Sequence, residues 1–93
     1  MKIEFDPAKS EKNARERGLQ FELVEGLDWE SAVFSEDARF PYSETRFTAL
    51  GFIAERLHVV CFTPVPGGIR VISFRKANDR EGRRYEKEKT SHG

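Results

Sequence analysis

Three runs rich in β-branched and aromatic residues follow one another in the second half of this chain, and they constrain its fold more than any other feature. They span residues 46–52, 56–62 and 69–75, and prolines and glycines between 64 and 68 mark the last connection. Such runs are typical of strands. Connections this short join antiparallel neighbours, so the sequence predicts a twisted antiparallel sheet.

Helices are predicted before this sheet. Asp6 and Pro7 have the character of an N-cap followed by a proline at the first helical position, and Gly18 is a suitable stop. A helix is therefore expected over residues 7–17. Apolar residues at helical spacing predict a second, short helix over residues 20–27.

The remaining segments complete an α+β domain. Residues 31–35 are a further strand candidate, residues 3–5 a short one, and the stretch between 36 and 44 has loop character. The predicted architecture is two N-terminal helices, a twisted antiparallel sheet of about four strands and a C-terminal helix. Residues 1–89 are expected to form a single domain, and residues 90–93 a frayed tail.

The C-terminal helix is predicted to be strongly cationic and to end near Lys89. Asn78 is suited to be its N-cap, and Glu81 stands at the capping-box position. At about 100° per residue, Tyr85 and Glu88 lie beside Glu81. The adjoining side carries a stripe of four cations: Arg80, Arg83, Arg84 and Lys87. This stripe suits a phosphate backbone, although such stripes are more often solvated faces supported by ion pairs one turn apart.

Charge is unevenly distributed along a chain whose formal net charge is zero. Residues 20–45 contain seven acidic residues and one arginine, whereas residues 70–89 contain eight basic and four acidic residues. A zero net charge argues against a generic nucleic-acid coat protein, but the separation of charge lets one pole meet RNA and the other a basic partner. With 93 residues, of which 38% are hydrophobic, the chain has room for one thin core that leans on its eight phenylalanines.

Cysteine and histidine offer neither a catalytic pair nor a metal site. Cys61 is the only cysteine and lies in an apolar run, where a reduced core thiol is expected. A structural role is favoured for His58 in the same run, and His92 falls in the predicted tail. The sequence has no metal-ligand spacing, so no cofactor is expected. It also has no apolar signal region and no membrane-spanning run, so we expect a cytoplasmic protein without membrane contact.

The chain resembles the BrnT family of toxins from bacterial type II toxin–antitoxin modules in three segments: IEFDPAKSEKNARERGLQFE, ETRFTALG and IRVISFRKANDREGRRYEKE. The resemblance implies a compact RelE-like fold and a ribonuclease that cleaves RNA without metal and so inhibits translation. It also implies neutralisation by a ribbon-helix-helix antitoxin. The expected assembly is a toxin–antitoxin heterotetramer that represses its own promoter, with DNA contacted only through that complex.

The same resemblance indicates where the site lies. The predicted catalytic residues match family positions: Arg46, Arg75, Lys76, Glu81 and Tyr85. The predicted RNA-binding residues are four arginines: Arg17, Arg80, Arg83 and Arg84. Cleavage without metal needs a base for the 2′-hydroxyl, cations around the phosphorane and an acid for the leaving oxygen.

The roles within this set stay open at this point. Arg46 and Arg75 are natural phosphate clamps, because a guanidinium stays charged and engages two oxygens at once. Lys76 can exchange a proton only if its surroundings disfavour its charged form. Glu81 is the alternative base, unless it only caps its helix. Tyr85 can donate a proton or stack on a base, or it can simply anchor the helix to the sheet.

Two positions depart from the family pattern. Relatives commonly have Lys-His-Gly where this chain has Glu16, Arg17 and Gly18, and an arginine binds phosphate but does not shuttle protons near neutral pH. Phe5 replaces a usual tryptophan, which is a milder change. The leading hypothesis is therefore a ribonuclease toxin. The alternatives are a catalytically weak homologue that binds the antitoxin and co-regulates transcription, or an ordinary small domain with a solvated basic stripe.

Overall fold

The computed structural model describes residues 1–91, with side chains described through Thr90. In chain order, the elements are β1 (Lys2–Glu4), α1 (Pro7–Arg17), a 3-10 helix (Phe21–Gly26), β2 (Val33–Glu36), β3 (Phe47–Ile53), β4 (Arg56–Val65), β5 (Gly68–Lys76) and α2 (Asp79–Ser91). The predicted α+β class and the three central strands are confirmed. None of the helices in residues 1–91 is long and apolar enough to cross a membrane.

The sheet has five strands in the order β1-β5-β4-β3-β2, and it is mixed. The strands β2 to β5 pair antiparallel, as predicted. Strand β1, however, pairs with β5 in parallel. The prediction of a purely antiparallel sheet of about four strands was wrong on both counts. Gly68 makes room for β1, because a Cβ at this position would overlap the carbonyl group of Lys2.

Local signals set the limits of α1. The Asp6 carboxylate accepts a hydrogen bond of 2.9 Å from the Ala8 amide, and Pro7 opens the helix. At the other end, Gly18 adopts a left-handed φ of 71° and its amide donates to the Ala14 carbonyl. A left-handed conformation is open to glycine at little cost, so the helix ends where the sequence predicts.

The second predicted helix is a short 3-10 helix, which corrects the expectation of a second α-helix. Its two buried residues, Phe21 and Val24, are three positions apart. In a 3-10 helix residues i and i+3 lie above one another, so this winding directs both side chains into the sheet.

Strand β4 is buried at every position from 57 to 63, so it requires cover on both faces. The larger core cluster lies on the face covered by the 3-10 helix: Leu19, Phe21, Val24, Leu27, Ala49, Val60, Phe62, Ile69, Val71 and Phe74. The smaller cluster lies on the opposite face: Leu50, Leu57, Val59 and Ala77, with Tyr85 of α2 packed against it. The core is thus divided into two unequal layers by the sheet.

The C-terminal helix is longer than predicted. It continues through Thr90 and ends at Ser91, so the first half of the predicted tail at 90–93 is helical. His92 and the rest of that tail lie outside the described residues.

Helix α1 docks through hydrogen bonds, since its one buried residue is Ser10. The Ser10 hydroxyl accepts from the Phe21 amide at 2.8 Å. The Asn13 side-chain amide donates to two carbonyl groups, of Leu19 at 2.7 Å and of Phe74 in β5 at 2.9 Å. These bonds connect a polar helix to the side of the sheet.

We therefore expect Asn13→Ala to lower the free energy of unfolding by about 1–3 kcal/mol, because it leaves two partly buried carbonyl groups without their donor. Urea denaturation measures the change. The control is Arg15→Ala on the exposed side of α1, for which the expected change is within about 0.5 kcal/mol. An Asn13→Ala effect no larger than that of the control would contradict this account of α1.

Candidate active site

A cleft of about 350 Å³ opens between the sheet and α2. Its floor includes Leu50, Val59 and Cys61 from β3 and β4. One wall is formed by the end of β5 with the start of α2, and the other by β2 with the loop that follows it. Charged groups thus stand around an apolar floor, where electrostatic interactions are stronger than in open water.

The first wall is held by an ion pair between β5 and α2. The Arg75 guanidinium donates two hydrogen bonds to the Glu81 carboxylate, at 2.8 and 2.7 Å. The predicted capping box is also confirmed, because Glu81 accepts from the Asn78 amide at 2.9 Å while its own amide donates to the Asn78 side chain at 2.8 Å. The Arg75 hydrogen bonds lower the pKa of Glu81 against the opposing effect of burial, and Glu81 raises the pKa of Arg75.

Helix α2 is held over the sheet by two further side chains. The Tyr85 ring meets Phe52 edge to face with 5.3 Å between centroids, and its hydroxyl donates to the Ser31 carbonyl at 3.2 Å. Arg84 lines the cleft and donates to the Ser35 hydroxyl at 3.1 Å. Tyr85 is therefore placed as an anchor between the helix and the sheet, and it is not among the residues that line the cleft.

The opposite wall carries a pair that the sequence analysis missed. Arg39 donates two hydrogen bonds to the Asp37 carboxylate, at 2.9 and 3.0 Å. The Asp37 side chain is only 3% exposed, whereas that of Arg39 is 73% exposed and lies at the cleft. Arg39 lowers the pKa of Asp37 to about 2 through these bonds. The sequence did carry a signal for this pair. Arg39 is the single basic residue of the acidic segment 20–45, and it follows Asp37 by two positions.

Cys61 and His58 have the structural roles that the sequence predicts. The buried Cys61 thiol donates to Asp37 at 3.8 Å, and burial raises its pKa, with the Asp37 charge adding to the effect. The His58 ring lies 5.4 Å from that of Phe74, one ring nitrogen is 2.8 Å from the Arg56 carbonyl, and burial lowers its pKa. No group of three or more His, Cys, Asp or Glu residues in the described part of the chain could hold a metal ion.

Arg46 lies in a second cleft of about 250 Å³, shared with the loop after β2. Its guanidinium stacks over the Tyr42 ring at 3.9 Å and donates to Glu44 at 3.2 Å. Asp37 lines both this cleft and the first one, which we call the arginine-lined cleft after Arg39, Arg75 and Arg84. Arg46 is therefore a neighbour of the arginine-lined cleft. It is not among the residues that line that first cleft.

The other predicted residues are spread over the surface. Lys76 is the last residue of β5, and strand alternation directs it to the face opposite Arg75, next to His58 in the pairing register. Arg80 and Arg83 are exposed on α2, and Arg83 lines a separate cleft beside Arg56. Arg17 ends α1. The structure thus brings together Arg75, Glu81 and Arg84 from the predicted set and adds Arg39.

A model of the family "Ribonuclease toxin, BrnT, of type II toxin-antitoxin system" matches residues 5–81. The chain belongs to the BrnT family. This confirms the resemblance seen in the three sequence segments. No curated protein and no solved structure matches the chain.

The BrnT match covers most of the cleft. Arg39, Arg75 and Glu81 lie within the matched residues, as does Arg17. Arg84 lies just beyond the match. As a BrnT family member, the chain is the toxin of a type II toxin–antitoxin system, with ribonuclease as the family activity and an antitoxin as the partner.

The Asp37–Arg39 pair predicts a pH dependence of stability. The folded-state pKa of Asp37, about 2, lies below the ordinary value of 3.8, so the pair stabilises the fold above pH 3.8 and this contribution is lost as the pH falls through 2. We expect Arg39→Gln to lower the free energy of unfolding at neutral pH and to reduce its decline over that acid range. Urea titrations at a series of pH values measure both effects.

The control for this measurement is Arg15→Gln, which removes an exposed arginine from α1. Its pH profile should follow that of the unaltered protein. Coinciding profiles for Arg39→Gln and the control would contradict the role of Arg39.

Proposed function

We propose that the protein cleaves RNA at the cleft between the sheet and α2, without a metal ion, and inhibits translation in the cytoplasm. The observation that carries this proposal is the convergence of three arginines, Arg39, Arg75 and Arg84, on one cleft with an apolar floor. Membership in a family of ribonuclease toxins supports the choice of RNA as the substrate. The RelE-like character implied by the resemblance is part of the proposal.

The arginines are suited to the charge that develops during cleavage. Attack of a 2′-hydroxyl on the neighbouring phosphorus forms a phosphorane with added negative charge, and guanidinium groups can bind its oxygens in pairs. Arg84 reaches the cleft from α2, Arg75 from β5 and Arg39 from the loop after β2. A phosphate between the two walls would therefore meet guanidinium groups from three directions, and it would have to compete with Asp37 and Glu81 for two of them.

Glu81 is the proposed proton acceptor, and its basicity depends on Arg75. In the free protein Arg75 lowers the pKa of Glu81, which makes this carboxylate a poor base. A substrate phosphate competes with Glu81 for the same guanidinium. When the phosphate takes Arg75, Glu81 loses its largest source of stabilisation as an anion and becomes more basic. Binding of the substrate would thus prepare the base for the 2′-hydroxyl.

The remaining predicted residues have supporting roles in this proposal. Arg46 contributes positive charge beside the cleft. Tyr85 fixes the distance between α2 and the sheet, which sets the width of the cleft. Arg80 and Arg83 extend the cationic side of α2 along which RNA can lie. Lys76 projects from the opposite face of β5, so its predicted part in proton transfer has the weakest geometric support.

The proposed partner is a ribbon-helix-helix antitoxin, which forms a heterotetramer with this chain. In that complex the antitoxin makes the contacts with DNA. The surface offers a suitable place at the acidic pole. Phe34 on β2, at the edge of the sheet, is 51% exposed, and Phe40 in the following loop is 62% exposed. Exposed aromatic side chains near acidic residues suit a basic, partly apolar partner surface.

A second candidate function is favoured by one observation. Two carboxylates at the cleft, Asp37 and Glu81, form ion pairs with arginines. In each case the arginine lowers the pKa of the carboxylate. With Arg17 at the usual histidine position, the chain then resembles a binding protein more than an efficient acid–base catalyst. In this alternative it binds the antitoxin and co-regulates transcription while cleaving RNA weakly or not at all.

Cleavage of a defined naked RNA by the purified protein in excess EDTA tests the proposed function. We expect products with cyclic or 3′-phosphate ends. Arg84→Ala should reduce the rate by about 100-fold, in the range found when one preorganised donor is removed from a transition-state site. Arg84→Ala, prepared identically, also exposes contaminating nuclease, and Arg15→Ala is the matched control for the loss of an exposed arginine and should cleave at the rate of the unaltered protein.

The outcomes separate the candidates. Cleavage that survives Arg84→Ala and Arg75→Ala but is lost in Lys76→Ala would move the site to the opposite face of β5. Absence of cleavage on naked RNA and on translating ribosomes would favour the binding function.

Growth after induction provides an independent prediction. The unaltered protein should arrest growth, whereas Arg75→Ala and Glu81→Gln should not. Co-expression of the antitoxin encoded beside this chain should restore growth of cells that produce the unaltered protein. Arrest by all variants would contradict the assignment of the cleft.

A further inference from the structure

A further cleft, here called the α1 cleft, lies beside α1, on the other side of β5 from the arginine-lined cleft. Its volume is about 250 Å³, and it is lined by Lys9, Lys12 and Arg17 of α1 and by Ser73 of β5. Among residues 1–91, Glu16 is the one acidic residue that lines it. The side chains of the three cations make no hydrogen bond or ion pair within the described part of the chain, so their charges are available to a ligand.

Ser73 connects this α1 cleft with the arginine-lined cleft. It is exposed and lines both of them. The passage exists because β1 pairs only with residues 68–70, which leaves the second half of β5 without a strand on its outer side. Helix α1 lies along that side and is joined to it by the bond from Asn13 to the Phe74 carbonyl. A bound strand can therefore pass from one cleft to the other across Ser73.

We infer that the α1 cleft binds phosphates of the RNA strand that flank the bond held in the arginine-lined cleft. This inference rests on the proposed function, because it assigns the α1 cleft to the same RNA molecule. Lys9 and Lys12, three positions apart on one helix face, and Arg17 at the end of the helix would each meet a backbone phosphate. Ser73 would lie under the strand between the two clefts.

Continuity is the reason to choose RNA over an acidic peptide. A peptide would need only the α1 cleft, whereas Ser73 joins this cleft to one that offers three further guanidinium groups, lined also by the acidic residues Glu36, Asp37 and Glu81. A phosphate backbone carries a charge on every nucleotide and matches a surface of this length. The position of Arg17 in the last turn of α1 also suits the helix dipole, so a binding role must be separated from this structural one by experiment.

The test is the salt dependence of binding to a fluorescent 2′-O-methyl RNA, which lacks the 2′-hydroxyl nucleophile and cannot be cleaved. For single strands each phosphate contact contributes about 0.7 to the slope of log affinity against log salt, so combining Lys9→Gln, Lys12→Gln and Arg17→Gln should reduce the slope by about 2. Glu16→Gln should instead tighten binding, because it removes the one negative charge in the α1 cleft. Circular dichroism and urea denaturation confirm that each variant is folded.

The matched control is Arg15→Gln, which removes one exposed cation from the same helix outside the cleft. Its affinity and slope should equal those of the unaltered protein. An unchanged slope in the triple variant overturns the inference. A loss of RNA affinity per removed charge equal to that of Arg15→Gln also overturns it, since such a loss would reflect net charge alone. Capture of a fluorescent polyglutamate peptide by the α1 cleft, with RNA binding unaffected by the triple variant, also overturns it and indicates an acidic protein segment.

Failure of the proposed function looks different. A protein that leaves unmodified RNA intact, yet binds the 2′-O-methyl RNA with a slope that depends on Lys9, Lys12 and Arg17, supports the α1 cleft and contradicts the ribonuclease. The opposite result is a protein that cleaves RNA while the triple variant leaves the salt slope unchanged. It supports the ribonuclease and contradicts the α1 cleft as an RNA-binding site.

Discussion

The fold depends on burying both faces of β4. Its residues 57–63 are all buried, which requires cover above and below the sheet from a chain with few apolar residues. The 3-10 helix supplies that cover on one face through Phe21 and Val24. On the other face, within residues 1–91, α2 contributes Tyr85 to the smaller cluster, and its remaining residues are polar or glycine. The unequal division of a small core therefore determines where the surface stays open.

The candidate site follows from this incomplete cover. Helix α2 reaches the smaller core cluster through Tyr85, while its first turn is joined to the end of β5 by the Arg75–Glu81 pair. The cleft opens between the sheet and α2, and three arginines and three acidic residues line it together with Leu50, Val59 and Cys61. The ion pair that positions the helix also occupies the guanidinium that a phosphate would need. Under the proposed function, stability of the free protein and binding of the substrate would therefore compete for Arg75.

Much of the fold was readable because its signals are local. Asp6, Pro7 and Gly18 limit α1 through contacts within one turn, and the Asn78–Glu81 capping box starts α2 in the same way. Strand β1 was not assigned to the sheet from sequence, since three residues carry too little periodicity to indicate a parallel partner more than sixty residues away. The family was also readable, because its three segments keep their order in the chain and the family model matches residues 5–81.

The sequence by itself determined the limits of α1, the start of α2 and the three central strands, together with the cationic character of α2 and the family. Tertiary structure decided which of these cations share a cleft. Arg75 and Lys76 are neighbours in sequence, yet strand alternation sends them to opposite faces of the sheet. Arg39, which has no periodic pattern around it, reaches the same cleft as Arg84 because Asp37 holds it there. Propensity and capping act over one or two turns, whereas a site is assembled by side chains distant in sequence, and only packing brings those together.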